Sequence, residues 1–504
     1  MSKNIVICSD GTGNTAGKER GTNVFKLYEA VELNGAKRQV AIYDEGVGTQ
    51  RMKVLKLVSG AFGWGLSRKV KELYAELARV YELGDNLFLF GFSRGAFTVR
   101  TLAGLIADRG IVTGFSSDRE LRRGVRRAYK QYRNKYRTDL EGGVRRIVAK
   151  IVGLVKTIPV GPLDEAEMTR APRDAVPIRF VGVWDTVDAV GLPIDWLAQL
   201  LNAVVYRYKF PNYSLGSNVQ QACHALAIDD ERHTFHPRMW DEHGELTDRI
   251  EQIWFAGAHS NVGGGYPSQG MSQVPLAWMM SRAEAAGLQF IAADREMYQD
   301  HQNVSDKLND SRAGLAVAYR YQPRDIYDFC TCNGTKPKVH ASVVTRIANG
   351  TAGYAPGNLP GVMELVDTDG AEVNPEGEEL ARRIYAYIGT EASLLEKVRG
   401  RVLARRSAHL ALWCCVALGV YITAAANIEA VTAKAAPGLA GIVSQSAAIL
   451  ALLSSVGGWV QLGQEALIRP WLPTLLAAFY LAGVLAENSM KDVFSMSWHR
   501  IFDR

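Results

Sequence analysis

At 504 residues the chain is too long for one typical core, so two or three structural units are expected. With 58 Lys and Arg against 52 Asp and Glu, the basic surplus is mild and gives no reason to expect nucleic acid as a partner. Six cysteines (Cys8, Cys223, Cys330, Cys332, Cys414 and Cys415) follow no disulfide-framework spacing, and Cys330 with Cys332 lacks the partners of a zinc site, so neither a metal nor a cofactor is expected.

The chain opens MSKNIVICSDG, whose apolar run has the length of a strand and is too short for the core of a signal peptide. Synthesis in the cytosol is expected, with any export by another route. NIVIC (4–8) reads as a strand leading into the loop SDGTGNT, and TNVFKLYEAVEL as a helix. QVAIY (39–43) is a second strand, followed by DEGVGT, then by the glycine-rich SGAFGWG and a helix over roughly 66–81. LFLF (87–90) has the continuous apolar character of a strand covered on both faces, and AFTVRTLAGLIADRG has helical spacing with a closing glycine. IRFVGVW (178–184) and QIWFAGA (252–258) are later strands, each running into a polar loop with Asp or His. Strand and helix alternate as in an α/β fold with a mostly parallel sheet.

Between LFLF and the next helix stands GFSRG, a G-x-S-x-G pattern at a strand-to-helix turn. Gly91 and Gly95 let the chain bend tightly enough for the Ser93 hydroxyl to project beyond the sheet, and the helix start turns its N–H groups and positive dipole end toward a developing oxyanion. A glycine-rich turn that merely contains serine is the plainer alternative. The strand and helix on either side favour a nucleophile.

A serine hydroxyl needs a histidine base, and the histidine a carboxylate. In α/β-hydrolases these follow in the order Ser, Asp or Glu, His, each after a strand. Asp185 directly follows GVW, with Asp188 as its competitor; His259 follows WFAGA and precedes three glycines, with His224, His233 and His236 as rivals. The oxyanion would be held by the backbone N–H of Arg94 and by the loop Gly11, Thr12 and Gly13. Phosphate binding is the rival use of that loop, but DGTGNT lacks the lysine-bearing P-loop pattern. PIDWLAQLLNAVVYRY (193–208) would serve as a lid over the site or as ordinary core.

From residue 119 to 156 the chain carries thirteen Lys/Arg against three Asp/Glu. It reads as a solvated insertion or as a surface attracted to anionic phospholipid head groups. Residues 407–428, 435–464 and 470–486 contain no Asp, Glu, Lys or Arg, and their lengths suit three membrane-spanning helices. With Arg401, Arg405 and Arg406 before the first, the positive-inside rule puts the body of a resident protein in the cytoplasm.

SDGTGNT, YDEGVGT, GFSRGAFTVR, GVWDTV, HALAIDDER, WFAGAHSNVGGGY and HASVVTR with YAPGNLP resemble, in this order, the motifs of the α/β-hydrolase domain of type VI secretion lipase effectors of family one. The resemblance runs from about residue 4 to 360. It implies phospholipase A1 or A2 activity and carries a triad over onto Ser93, Asp185 and His259; it also implies an immunity, secretion or defence partner protein. Asn261 stands where that family commonly has Asp.

The expected organisation is an α/β-hydrolase catalytic domain over 1–360 with a mostly parallel sheet, helical insertions and a basic insertion at about 117–170; a connecting segment over 361–404 follows. A C-terminal α-helical membrane region over 405–504 completes it. The expected setting is a bacterial inner membrane, with the catalytic domain cytoplasmic if resident or at the periplasmic face of a target if secreted. The alternatives are a membrane-anchored scaffold with an inactive hydrolase core and an esterase of soluble substrates.

Overall fold

The structure, a computed structural model, describes residues 2–11, 21–45, 61–135, 170–171, 176–187, 213–245, 249–313, 316–317, 319–369, 394–432 and 468–501. Thr12 and Gly13, Asp188, the segment 193–208, the basic segment beyond residue 135 and the apolar stretch 435–464 lie outside them. Two units divide the chain, Met1–Ser393 and Leu394–Arg504.

The first unit is built on β1 (Asn4–Ser9), β2 (Gln39–Asp44), β3 (Asn86–Phe92), β6 (Ile178–Trp184), β7 (Val219–Ala227), β8 (Ile250–Phe255), β9 (Lys338–His340) and β10 (Glu364–Val366). They form one sheet in the order β10-β9-β8-β7-β6-β3-β1-β2, and its pairings are parallel. The two-residue strands β4 (Ile111–Val112) and β5 (Arg170–Ala171) pair separately and antiparallel. This is an α/β architecture wound in both directions from β1, and the direction reverses between β1 and β3. Open parallel sheets place ligands at the carboxyl ends of the strands at such a switch point.

Strand periodicity explains the two cores. Ile5, Ile7, Leu87 and Leu89 face one side, where they pack with α2 (Ala61–Val80), α3 (Arg94–Arg109) and α4 (Asp118–Lys135). Val6, Cys8, Phe88, Phe90 and Phe92 face the other, toward α1 (Asn23–Ala30) and the helix Gly270–Ala285. α1 starts where the Thr22 side chain accepts the Phe25 N–H; α3 ends at Gly110, whose φ of 65° admits the left-handed turn.

Both glycines around Ser93 are required by backbone proximity. A Cβ on Gly91 would lie 2.7 Å from the backbone of Ala96, and one on Gly95 would overlap the Ser9 carbonyl oxygen and stand 2.6 Å from that of Asp10. Gly95→Ala therefore forces β1 and α3 apart, and we expect it to cost about 2 kcal/mol or more, the range for overpacking a rigid core, read as a lowered urea midpoint.

In the second unit the helices Arg399–Thr432 and Trp471–Ile501 form an antiparallel pair. Arg405 bonds Glu487 at 2.7 Å, and Arg401 donates to the Ser489 carbonyl at 3.2 Å; Gly419 meets Leu472 at the other end. Leu410, Tyr421, Leu481 and Leu485 are exposed on this pair. Of the three stretches expected to span a membrane, 435–464 lies outside the described residues; among the described residues no helix is long and apolar enough to cross a membrane. The uncharged run in Trp471–Ile501 ends at Glu487, with Lys491 and Asp492 following in the same helix.

Candidate active site

Ser93 lies between the end of β3 and the start of α3, with φ 57° and ψ −121°. For a non-glycine residue that conformation costs on the order of 1–3 kcal/mol, and surrounding structure must hold it. The Ser93 N–H donates to the Trp184 carbonyl at 3.0 Å, and the Phe97 N–H donates to the Ser93 carbonyl. The Ser93 side chain does not cap its own helix. Its hydroxyl is thereby left at the carboxyl edge of the sheet, beside the strand reversal.

Asp185 directly follows β6, the neighbour of β3, in a register that pairs Phe92 with Trp184, so Ser93 and Asp185 leave the sheet side by side. Asp185 is fully buried, with φ 38°, and its N–H donates to the Ala225 carbonyl at 2.8 Å. His259 opens the short helix His259–Gly263 after β8, two strands further on. Its Nδ1 bonds Asp185 Oδ2 at 2.6 Å. The ring lies 4.6 Å from that of Phe92 and meets Phe235 edge-on at 5.1 Å. Gly263 gives that helix the space to close on Phe92, whose ring would obstruct any Cβ there.

Burial favours the neutral form of His259, while the Arg324 charge favours the ionised form of Asp185. Burial is the largest influence on each. Burial raises the proton affinity of Asp185, yet the Arg324 guanidinium and the His259 ring outweigh it and hold the carboxyl well below the usual range. Burial lowers the pKa of His259, and the Asp185 carboxylate only partly offsets this. An ionised Asp185 accepts the proton on Nδ1 and leaves Nε2 as the ring's basic nitrogen.

Several participants were not assigned from the sequence. Arg324, 0% exposed, holds both Asp185 oxygens, with Nη1 to Oδ1 at 2.6 Å and Nη2 to Oδ2 at 2.9 Å. The acidic pair in IDDER braces the histidine turn from below. Asp229 accepts the Gly257 N–H at 2.6 Å and the Tyr354 hydroxyl at 2.9 Å, and burial pushes its carboxyl up to about 6. Asp230 accepts the His259 N–H at 3.3 Å and pairs with Arg232 through two bonds. Asn261 accepts from the N–H groups of Ala258 and Asn309 and donates to the Lys307 carbonyl. A carboxylate could not make that last donation.

The rival residues have other partners. His224 is buried in β7, where its Nε2 accepts the Thr186 N–H and its Nδ1 bonds Gln252; burial pushes it down to about 3. His236 bonds the Gln322 carbonyl, and its ring meets that of His233. Cys330 sits against the Trp254 indole N–H. Among the described residues no group of three or more His, Cys, Asp or Glu is placed to hold a metal ion. Gly11 follows β1 as expected, but its N–H donates to Asp10 Oδ1 at 2.5 Å, while Asp10 Oδ2 accepts from Thr22 and Tyr43.

Comparison with known proteins bears on this arrangement. An uncharacterized protein of Saccharomyces cerevisiae, YEL023C, is 27% identical over 246 residues, which cover 46% of this chain and 32% of its own. The match thus spans about a third of that relative's length. A solved structure of the Tle1 effector bound to the VgrG spike of the type 6 secretion system aligns with a TM-score of 0.36 at 14% identity, covering 63% of this chain and 78% of its own. An uncharacterized protein from Pseudomonas aeruginosa aligns at 0.33, also with 14% identity, covering 96% of this chain and 66% of its own. A family model described as the catalytic domain of Tle1-like phospholipase effectors of the type VI secretion system matches residues 3–282, a span that runs from β1 through Ser93, Asp185 and His259. By that match the chain belongs to the Tle1-like phospholipase effector family of the type VI secretion system.

Proposed function

We propose that the chain is a phospholipase A that cleaves an acyl ester of membrane phospholipids through Ser93, His259 and Asp185. The observation that carries this reading is the strained Ser93 turn standing beside Asp185, whose carboxylate takes His259 Nδ1 at 2.6 Å. Ser93 Oγ attacks the acyl carbonyl while His259 Nε2 accepts its proton. The negative oxygen is met by the Arg94 N–H in the first turn of α3. The imidazolium, stabilised by Asp185, returns the proton to the leaving lysophospholipid oxygen. Water, activated by the same histidine, then frees the fatty acid and restores Ser93.

The basic helix fits the same substrate. α4 buries Leu121, Val125, Ala128 and Tyr132 and turns Arg119, Arg122, Arg123, Arg126 and Lys130 outward. A cleft of about 540 Å³ between α2 and α4 is lined by Arg68, Lys71, Arg122 and Arg126, with Glu72 and Glu76 among them, and reaches Tyr43 and Asp44 at the carboxyl end of β2. The cleft opens at the carboxyl end of β2, two strands from β3 in the sheet, and anionic head groups are the partner of the basic helix in this reading. Changing Arg123, Arg126 and Lys130 together to Gln should weaken binding to phosphatidylglycerol vesicles roughly 100-fold, at about 1 kcal/mol per charge, with hydrolysis of a soluble ester unchanged. Membership of an effector family makes a component of the secretion spike the expected carrier and a target-cell membrane the expected site of action.

The test is product analysis from phosphatidylethanolamine and phosphatidylglycerol vesicles whose sn-1 and sn-2 chains differ. Free fatty acid with lysophospholipid is the expected result, and the chain released assigns the position cleaved. Diacylglycerol or a phosphorylated head group as the product would instead mean phosphodiester cleavage and overturn the reading.

A further inference from the structure

Arg324 belongs to no helix or strand and lies 139 residues from Asp185 in sequence, yet its contacts centre on that carboxylate. The segment before it is stitched to the IDDER turn: Tyr321 bridges Arg232, the Gln322 N–H donates to the Glu231 carbonyl, and the His233 N–H donates to that of Arg320. From there the guanidinium reaches inward. Nη1 bonds Asp185 Oδ1 and the Ala227 carbonyl at 2.6 and 2.5 Å, and Nη2 bonds Asp185 Oδ2 and the Phe235 carbonyl at 2.9 and 2.6 Å. Asp185 Oδ1 also accepts the Ala227 N–H at 3.1 Å, so Oδ2 alone is directed to His259.

We infer that Arg324 is a positioning residue of this centre: its planar fork fixes the Asp185 carboxylate in the orientation that receives the His259 Nδ1–H, and its charge makes the pair release a proton more readily. The inference rests on the hydrolase reading of Ser93, Asp185 and His259. A bidentate guanidinium fixes both the position and the plane of a carboxylate, which a single neutral donor does not. Its charge also balances that of Asp185, so the resting Arg–Asp–His group is neutral although fully buried.

Two further titrating groups feel the Arg324 charge: Asp229, pushed up to about 6 by burial, holds the Gly257 N–H, and His236, pushed down to about 4 by burial, bonds the Gln322 carbonyl. Asp230 and Arg232 form their own ion pair beside the His259 backbone, and His224, held at about 3, is neutral above that pH. Phe92 and Phe235 present only rings to the imidazole. Removing the Arg324 charge therefore raises the affinity of the Asp185–His259 pair for its first proton, whichever residue receives it. Because the protonated pair cannot act as base, the acid limb of the rate profile moves to higher pH.

The experiment compares the full-length wild type with Arg324→Met and Arg324→Lys on a soluble short-chain ester between pH 4 and 9, with fluorophosphonate labelling of Ser93 as a parallel readout. Arg324→Met should lose about 100-fold in kcat with KM little changed, and its acid limb should move up by about one pH unit. Arg324→Lys, which keeps the charge and loses the fork, should keep the limb near its wild-type position and lose about tenfold in kcat. If Arg324→Met does not fold, the proton resonance of the His259 Nδ1–H is compared between wild type and Arg324→Lys. A changed shift or broadening supports positioning, and an unaltered resonance with unaltered kcat overturns it. An active, labelled wild type with an unmoved Arg324→Met profile overturns the inference alone. A wild type that is neither active nor labelled overturns the hydrolase reading on which it stands.

Discussion

Ser93→Ala is expected to reduce fatty-acid release by at least about 10³-fold while leaving stability within about 1 kcal/mol of wild type or slightly changed in either direction. The rate loss follows from removing the only atom that forms the acyl-enzyme bond, and residual turnover would come from binding and oxyanion stabilisation alone. The stability expectation follows from the structure: the Ser93 side chain makes no capping bond, and alanine at φ 57° bears the same backbone strain as serine. Substrate binding to vesicles should persist, because the basic face of α4 is untouched. Release measured against a thermal melt of the same preparation separates lost chemistry from lost fold.

Asp185→Asn should damage both chemistry and stability, for one electrostatic reason. Asparagine keeps the shape of the side chain but must direct its NH₂ group at either Arg324 or His259 Nδ1. Facing Arg324, it sets donor against donor; facing His259, it turns Nδ1 into an acceptor and places the ring proton on Nε2, where the base is needed. The same change in a serine-protease triad lowers kcat about 10⁴-fold, and a loss of that order is expected here. Arg324 also becomes a buried charge without its counter-ion, a defect that costs on the order of 3–5 kcal/mol. The folded Asp185 carboxyl titrates below its unfolded value, so the stability it supplies is present above about pH 4 and shrinks as pH falls through the depressed folded value. The gap between wild type and Asp185→Asn in denaturant midpoint should accordingly be widest near neutrality and narrow in acid.

What could be read from the residues alone depended on whether the governing interactions were local. The Ser93 turn is a local event: an apolar strand, a small-residue bend and an amphipathic helix are contiguous, and β3 and α3 lie where the pattern puts them. Asp185 and His259 stood out because each directly follows, or nearly follows, a β-rich run, and the structure brings the two into contact. β7 was missed as a strand because VQQACHALA carries buried polar groups, and the Thr186 N–H and Gln252 that satisfy His224 come from other parts of the chain. Arg324 left no local signal at all, since nothing in YQPRD marks an arginine whose partner is 139 residues away. Asp229 and Asp230 lay in a motif already singled out, but their purpose appears only once β8 is beside β7 and the His259 turn stands over them. For the C-terminal stretch 470–486 the uncharged run marked less than the whole element, because Glu487 and Lys491 continue the same helix and pair with each other.

The central claim is that Ser93 is a nucleophile made reactive by a neutral His259 that Asp185 orients. Peptide mapping after reaction of the full-length protein with a fluorophosphonate tests it most directly. The account predicts one adduct per chain, on Ser93, formed more slowly when His259 is replaced by alanine, with loss of phospholipid hydrolysis in proportion to labelling. A protein that releases fatty acid while Ser93 stays unmodified, or that keeps full activity once Ser93 is modified, would contradict it.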